Sequence, residues 1–138
     1  MADIFADTSG WANYFVRSEP YHALAKKQMQ HWQSSGVKVI TSNLVLIELI
    51  ALFTSPLHIP RADQVQVIET IQASPWIEIA QIDPSLQNEA WDLLKTRLDK
   101  EWSFVDCASF VVMKNRGISE ALTTDHHFEQ AGFVCLLK

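Results

Sequence analysis

Short apolar segments, several rich in β-branched residues, alternate along this 138-residue chain with longer stretches of helical periodicity. That alternation leaves few folds open. Strands separated by helices pair in parallel and bury both faces of their sheet under the helices. Five segments read as strands: residues 3–6, 37–41, 76–82, 121–124 and 133–137. Thr8-Ser9-Gly10 turns out of the first into a helix near residues 11–16. Glu19-Pro20 opens a second helix with Pro20 near its first position, and Ser34-Ser35-Gly36 stops it. Ser42 or Asn43 caps a third helix that runs to Phe53 and is broken by Ser55-Pro56. Pro60 starts a fourth, with Val65, Ile68 and Ile71 on one face. Asp83-Pro84 opens a long helix carrying Leu86, Ala90, Leu93, Leu94 and Leu98 at helical spacing. Ser103-Phe104-Val105-Asp106 has the spacing of a capping box, with Asp for the usual Glu. Its helix runs to about Arg116, and Gly117 is its stop. A helical turn covers residues 128–131.

Composition narrows the class. Hydrophobic residues make up 48% and charged residues 20%, an ordinary globular balance, and 15.7 kDa is one domain's worth, residues 1–138. The apolar stretch 44–53, interrupted only by Glu48, falls short of the roughly 20 residues a bilayer span needs. The first four residues lack the basic start of a signal peptide. Cys107 and Cys135 fit neither a disulfide framework nor a zinc site. The expectation is a soluble cytoplasmic protein with reduced thiols and no membrane contact. The net charge of −5 argues against a general nucleic-acid coat. It leaves room for an enzyme that meets nucleic acid through an acidic metal site.

Ligands of open parallel sheets gather beyond the carboxyl ends of the strands. Asp7 follows the first strand there and Asp125 the fourth; either alone reads as a turn residue. Glu48 stands in a helix that is apolar nearly all round, and its neighbours three and four positions away are Leu44, Val45, Ala51 and Leu52. A carboxylate buried there needs a proton, a partner or a metal; a solvent-facing strip of the helix is the other reading. Asp106, taken alone, completes a helix cap. None of the four has a basic residue at helical spacing. If they converge, divalent cations are the natural relief for their repulsion, and hard oxygen ligands select Mg²⁺ or Mn²⁺.

Asp7-Thr8-Ser9, Glu48 in its apolar helix, Ser103-Phe104-Val105-Asp106 and Thr123-Thr124-Asp125 together resemble the acidic motifs of PIN-domain nucleases. The tail from Thr124 to Phe133 resembles the end of the VapC-type toxins. The resemblance covers essentially the whole chain. It implies a three-layer α/β/α fold with a central five-stranded parallel sheet in the order third, second, first, fourth, fifth. It also implies a metal-dependent endoribonuclease using Mg²⁺ or Mn²⁺, the toxin of a type II toxin–antitoxin system, with an RNA substrate, a cognate antitoxin and a homodimer. Asp7 and Asp106 would be the main metal ligands and Asp125 and Glu48 would complete the catalytic cluster; Ser9 and Thr123 are candidates to orient carboxylates or waters, with turn and strand chemistry as their other reading. His126 and His127 read as bystanders in a loop. A silent PIN-like RNA-binding or protein-interaction module and a housekeeping RNA-processing nuclease are the alternatives. A phospho-accepting receiver would want an acidic pair after the first strand, and a dehalogenase-type phosphatase a second Asp where Ser9 stands.

Overall fold

Five helices begin on a side chain that accepts a backbone N–H from the helix's own first turn. In the computed structural model, which describes residues 2–138, these caps are Asp7, Ser42, Asp83, Ser103 and Asp125. Met1, where the expected domain range begins, lies outside the described residues. In chain order the elements are β1 (Ile4–Ala6), α1 (Thr8–Phe15), α2 (His22–Ser35), β2 (Val39–Ser42), α3 (Asn43–Thr54), α4 (Arg61–Ala73), β3 (Ile77–Ala80), α5 (Pro84–Thr96), α6 (Phe104–Arg116), β4 (Glu120–Leu122), α7 (His126–Gln130) and β5 (Val134–Cys135).

The five strands form one parallel sheet in the order β3-β2-β1-β4-β5, the order the family resemblance implies. Parallel crossovers are right-handed in almost all proteins. The chain moves one way from β1 to β3 and the other way from β3 to β5, so α1–α4 cover one face and α5–α7 the other. The contacts agree: α1 packs on α2 and α3, α3 on α4, α5 on α6, and α6 on α7. The direction reverses between β1 and β4, which are paired Phe5 to Ala121 and Ala6 to Leu122. The crevice beyond their carboxyl ends is therefore the switch point of the sheet.

An aromatic chain fixes the helices beside that crevice. Phe5 in β1 contacts Phe128 in α7 at 6.4 Å between ring centroids. Phe128 meets Phe110 of α6 edge-on at 4.9 Å, and Phe110 meets Trp102 edge-on at 5.0 Å. All four rings are buried.

Several expected boundaries move, each for a local reason. The first helix starts at Thr8 rather than near Trp11, because Asp7 caps it directly. Pro20 lies in a turn ahead of α2, where Asn13 accepts the Tyr21 N–H at 2.9 Å. On α4, Val65 is 46% exposed, and Gln64 turns inward to donate to the Ile59 carbonyl. Leu98 lies beyond the end of α5 and is 86% exposed. The strands are shorter than the apolar runs that suggested them, and β4 stops at Leu122.

Gly10 lets α1 approach the sheet. A Cβ built there would stand 2.0 Å from the Leu122 carbonyl oxygen, a backbone atom that cannot swing away. Gly10→Ala should therefore push α1 off β4 and cost about 1–3 kcal/mol, the usual range for overpacking. Urea denaturation measures it, and an unchanged midpoint would show that α1 has room to spare.

Candidate active site

Asp7 ends β1, caps α1 and is only 7% exposed. Its Oδ1 accepts the Gly10 N–H at 3.0 Å and the Ser9 hydroxyl at 2.8 Å. Its Oδ2 accepts the Thr123 hydroxyl at 2.8 Å. Thr123 Oγ1 in turn accepts the Asp125 N–H at 2.9 Å, and Ser9 Oγ accepts the Thr124 N–H at 3.0 Å. Ser9 and Thr123 thus stitch the end of β1 to the end of β4. Even with three donors, burial dominates at Asp7. It pushes the carboxyl up from the usual 3.8 to about 7, with the charge of Asp125 adding to the effect.

Glu48 projects from α3, half-buried, and its Oε1 accepts the Thr8 hydroxyl. Burial raises its pKa, and the charges of Asp106 and Asp125 raise it further. Asp106 completes the capping box: its Oδ2 accepts the Ser103 N–H at 3.1 Å while Ser103 Oγ accepts the Asp106 N–H at 3.0 Å. The same Oδ2 lies 2.9 Å from His127 Nδ1. Asp125 caps α7, and its Oδ1 accepts the His127 N–H at 2.9 Å.

The charge of Asp125 bears on Asp7 and Glu48, and that of Asp106 on Glu48, so the four lie within electrostatic reach of one another; the group whose ligand atoms come within 4.8 Å of one another among the described residues is Asp125, His126 and His127. The carboxylates arrive from four places, just beyond β1 and β4, the body of α3 and the first turn of α6. Among the described residues no Lys or Arg pairs with any of them; the contacting basic groups are His126 and His127. Glu48, Asp106 and Asp125 are each tethered through one oxygen, Asp7 through both. Glu48 Oε2, Asp106 Oδ1 and Asp125 Oδ2 accept no hydrogen bond among the described residues, and Asp7 Oδ2 keeps a lone pair beyond its bond to Thr123.

Two residues of this neighbourhood escaped sequence reasoning. Thr8 supplies the partner that Glu48 lacks on its own helix. The two histidines differ: the His127 side chain is only 20% exposed and bonds Asp106, whereas the His126 side chain is 65% exposed. Adjacency in sequence hid the difference, because consecutive helical side chains point about 100° apart.

A family model described as the PIN domain matches residues 4–134. The chain belongs to the PIN-domain family. Within it, the chain is 34% identical over 131 residues to proteins named 23S rRNA-specific endonuclease VapC20 from two Mycobacterium tuberculosis strains, covering 95% of this chain and 95% of theirs. The crystal structure of Mycobacterium tuberculosis VapC20, described as a sarcin-ricin loop cleaving toxin, superposes with a TM-score of 0.83 at 33% identity. The match covers 96% of this chain and 97% of that one. FitAcB from Neisseria gonorrhoeae, at TM-score 0.60 and 18% identity, shares the PIN fold.

PIN nucleases as a family are dependent on divalent metal ions, and the donor set here fits such an ion. Four carboxylates offer hard oxygen atoms, and the raised Asp7 and Glu48 pKa values mark a site where negative charge is under-compensated.

This electrostatic frustration should be measurable without metal. A carboxyl with a raised folded pKa keeps its proton in the native state after the unfolded chain has lost it. Its favourable contribution is complete below about pH 4 and is lost as pH climbs towards 7. Asp7→Asn keeps a capping oxygen for Gly10 but cannot ionise. In EDTA, its melting temperature should exceed wild type by a margin that widens from pH 4 to 7 and then levels. A margin independent of pH would mean that Asp7 titrates normally.

Proposed function

We propose that this protein is a metal-dependent endoribonuclease of the VapC type. In this reading Asp7, Glu48, Asp106 and Asp125 hold Mg²⁺ or Mn²⁺ and form the catalytic centre. The observation that carries it is the placement of four hydrogen-bonded carboxylates about the switch point of a PIN fold, none of them ion-paired with a lysine or arginine among the described residues. A bound divalent cation supplies positive charge that makes water a nucleophile at neutral pH and offsets charge building up on the scissile phosphate.

The chain's own residues do the arranging. Gly10, Ser9 and Thr123 fix Asp7 in one orientation. Thr8 does the same for Glu48, and the capping box for Asp106. Preset ligands need no reorganisation when substrate arrives. The open oxygens of Glu48, Asp106 and Asp125 are then free to hold the cation and to receive protons.

Its substrate in this reading is RNA, and structured ribosomal RNA is the first to try, given what the VapC20 relatives are named for. A cognate antitoxin would block the crevice. The described part of the chain has no helix long and apolar enough to cross a membrane, and the reading places it in the cytoplasm with its RNA. A second copy of the chain would cover the apolar side chains that α3 and α4 leave open, with Ile47 at 63% and Val65 at 46% exposure.

Purified, inhibitor-free protein should cleave ribosomal RNA with Mg²⁺ or Mn²⁺ and stop on chelation. Asp7→Asn and Asp106→Asn should each lose at least about 100-fold in cleavage while keeping native far-UV circular dichroism. Cleavage that persists in excess EDTA would sink the metal mechanism.

The toxin reading has its own test. Expression alone should arrest growth, and co-expression with the product of an adjacent small reading frame should relieve the arrest. Unimpeded growth on expression of an active enzyme would point to RNA processing instead.

A further inference from the structure

Asp106 has a feature its capping role does not explain. A capping box needs one bond from the Asp oxygen to the Ser103 N–H, yet Asp106 Oδ2 takes two partners, Ser103 N at 3.1 Å and His127 Nδ1 at 2.9 Å. Together they use the lone pairs of that oxygen. A carboxylate can only accept, so facing Asp106 Oδ2 as a carboxylate His127 donates from Nδ1.

His127 is itself held firmly. Its backbone N–H donates to Asp125 Oδ1, and the next residue, Phe128, is buried edge-on against Phe110, one turn along α6 from Asp106. The α6–α7 junction is thus closed by two neighbouring side chains, one apolar and one polar. His126 lies beside His127, its ring centroid 4.5 Å from that of His127 and its Nδ1 3.8 Å from Asp125, and it makes no hydrogen bond or ion pair with Asp106.

We propose that His127 is a positioning residue that, with the Ser103 N–H, fixes Asp106 Oδ2 and so presents Oδ1 alone to the acidic cluster. This rests on the reading that the cluster holds a divalent cation. Ligating carboxylates are themselves oriented by hydrogen-bond donors, and loss of such a donor typically costs about 10–100-fold in metal affinity or activity. Asp106 sits on a helix start and, like Asp125, has no hydroxyl partner of the kind that secures Asp7 and Glu48.

The test combines metal binding, kinetics and tautomer state. Mn²⁺ titrated into the metal-free full chain, with free Mn²⁺ followed by its electron paramagnetic resonance signal, should bind His127→Ala about 10–100-fold more weakly than wild type. RNA cleavage should lose kcat with KM unchanged. His127→Asn places an amide N–H near the Nδ1 position and should recover most of both; His127→Gln, whose amide reaches further, should not. His126→Ala should match wild type.

¹⁵N NMR of the metal-free protein should show His127 as the Nδ1–H tautomer, with that preference lost in Asp106→Ala. This arm holds whether or not the chain binds metal, so a wild type that ignored Mn²⁺ would refute the metal reading while the Asp106–His127 bond was still decided. Three results would overturn the proposal: an Nε2–H tautomer in wild type, wild-type Mn²⁺ affinity in His127→Ala, or His127→Asn failing as badly as His127→Ala. The last would make the imidazole itself a ligand or proton carrier. Equal losses in His126→Ala would likewise point to Asp125, His126 and His127, whose ligand atoms lie within 4.8 Å of one another, as a metal-ligand set.

Discussion

The bond from the Thr123 hydroxyl to Asp7 Oδ2 closes the seam at which the chain changes direction across the sheet. It joins the end of β4 to the end of β1, and the rest of the acidic site is built around it. Thr123 passes the link on by accepting the Asp125 N–H, and Asp125 then caps α7. On the other side, Asp7 caps α1 through Gly10, whose missing side chain allows the helix to rest against Leu122. One buried carboxylate therefore sets the start of a helix, the spacing of two strands and the path of the loop that carries Asp125.

Such an arrangement is costly when no cation is present. Burial raises Asp7 to about 7 despite three hydrogen bonds, and Glu48 is pushed the same way by burial and by two neighbouring carboxylates. A chain selected only for stability would place Asn or Ser at some of these positions. Keeping four acids there fits a fold that trades stability for a charge-hungry pocket, the pattern expected where function and folding compete.

What lets the fold carry that cost is a rigid surround. Phe5, Phe128, Phe110 and Trp102 run as one aromatic chain from the central strand through α7 to the start of α6. Phe128 and Asp125 belong to the same short segment, and Phe110 stands one turn along α6 from Asp106. The rings fix the backbone that holds the carboxylates, and the hydroxyls of Thr8, Ser9 and Thr123 then fix the side chains. Apolar packing sets the coarse placement, and directional hydrogen bonds set the fine one.

Local pattern by itself determined the alternation of strand and helix, the Ser103–Asp106 capping box, the Gly117 stop and the lack of a helical partner for Glu48, because each is written within a few residues. The family resemblance added the strand order. Periodicity misjudged Val65 and Leu98, since an apolar residue at helical spacing need not find anything to pack against. Only the tertiary structure decided which groups would meet. Thr8 reaches Glu48 across 40 positions, Thr123 reaches Asp7 across 116, and His127 reaches Asp106 across 21. Those bonds depend on how strands register and how helices pack, and such long-range geometry leaves no mark in the spacing of neighbouring residues.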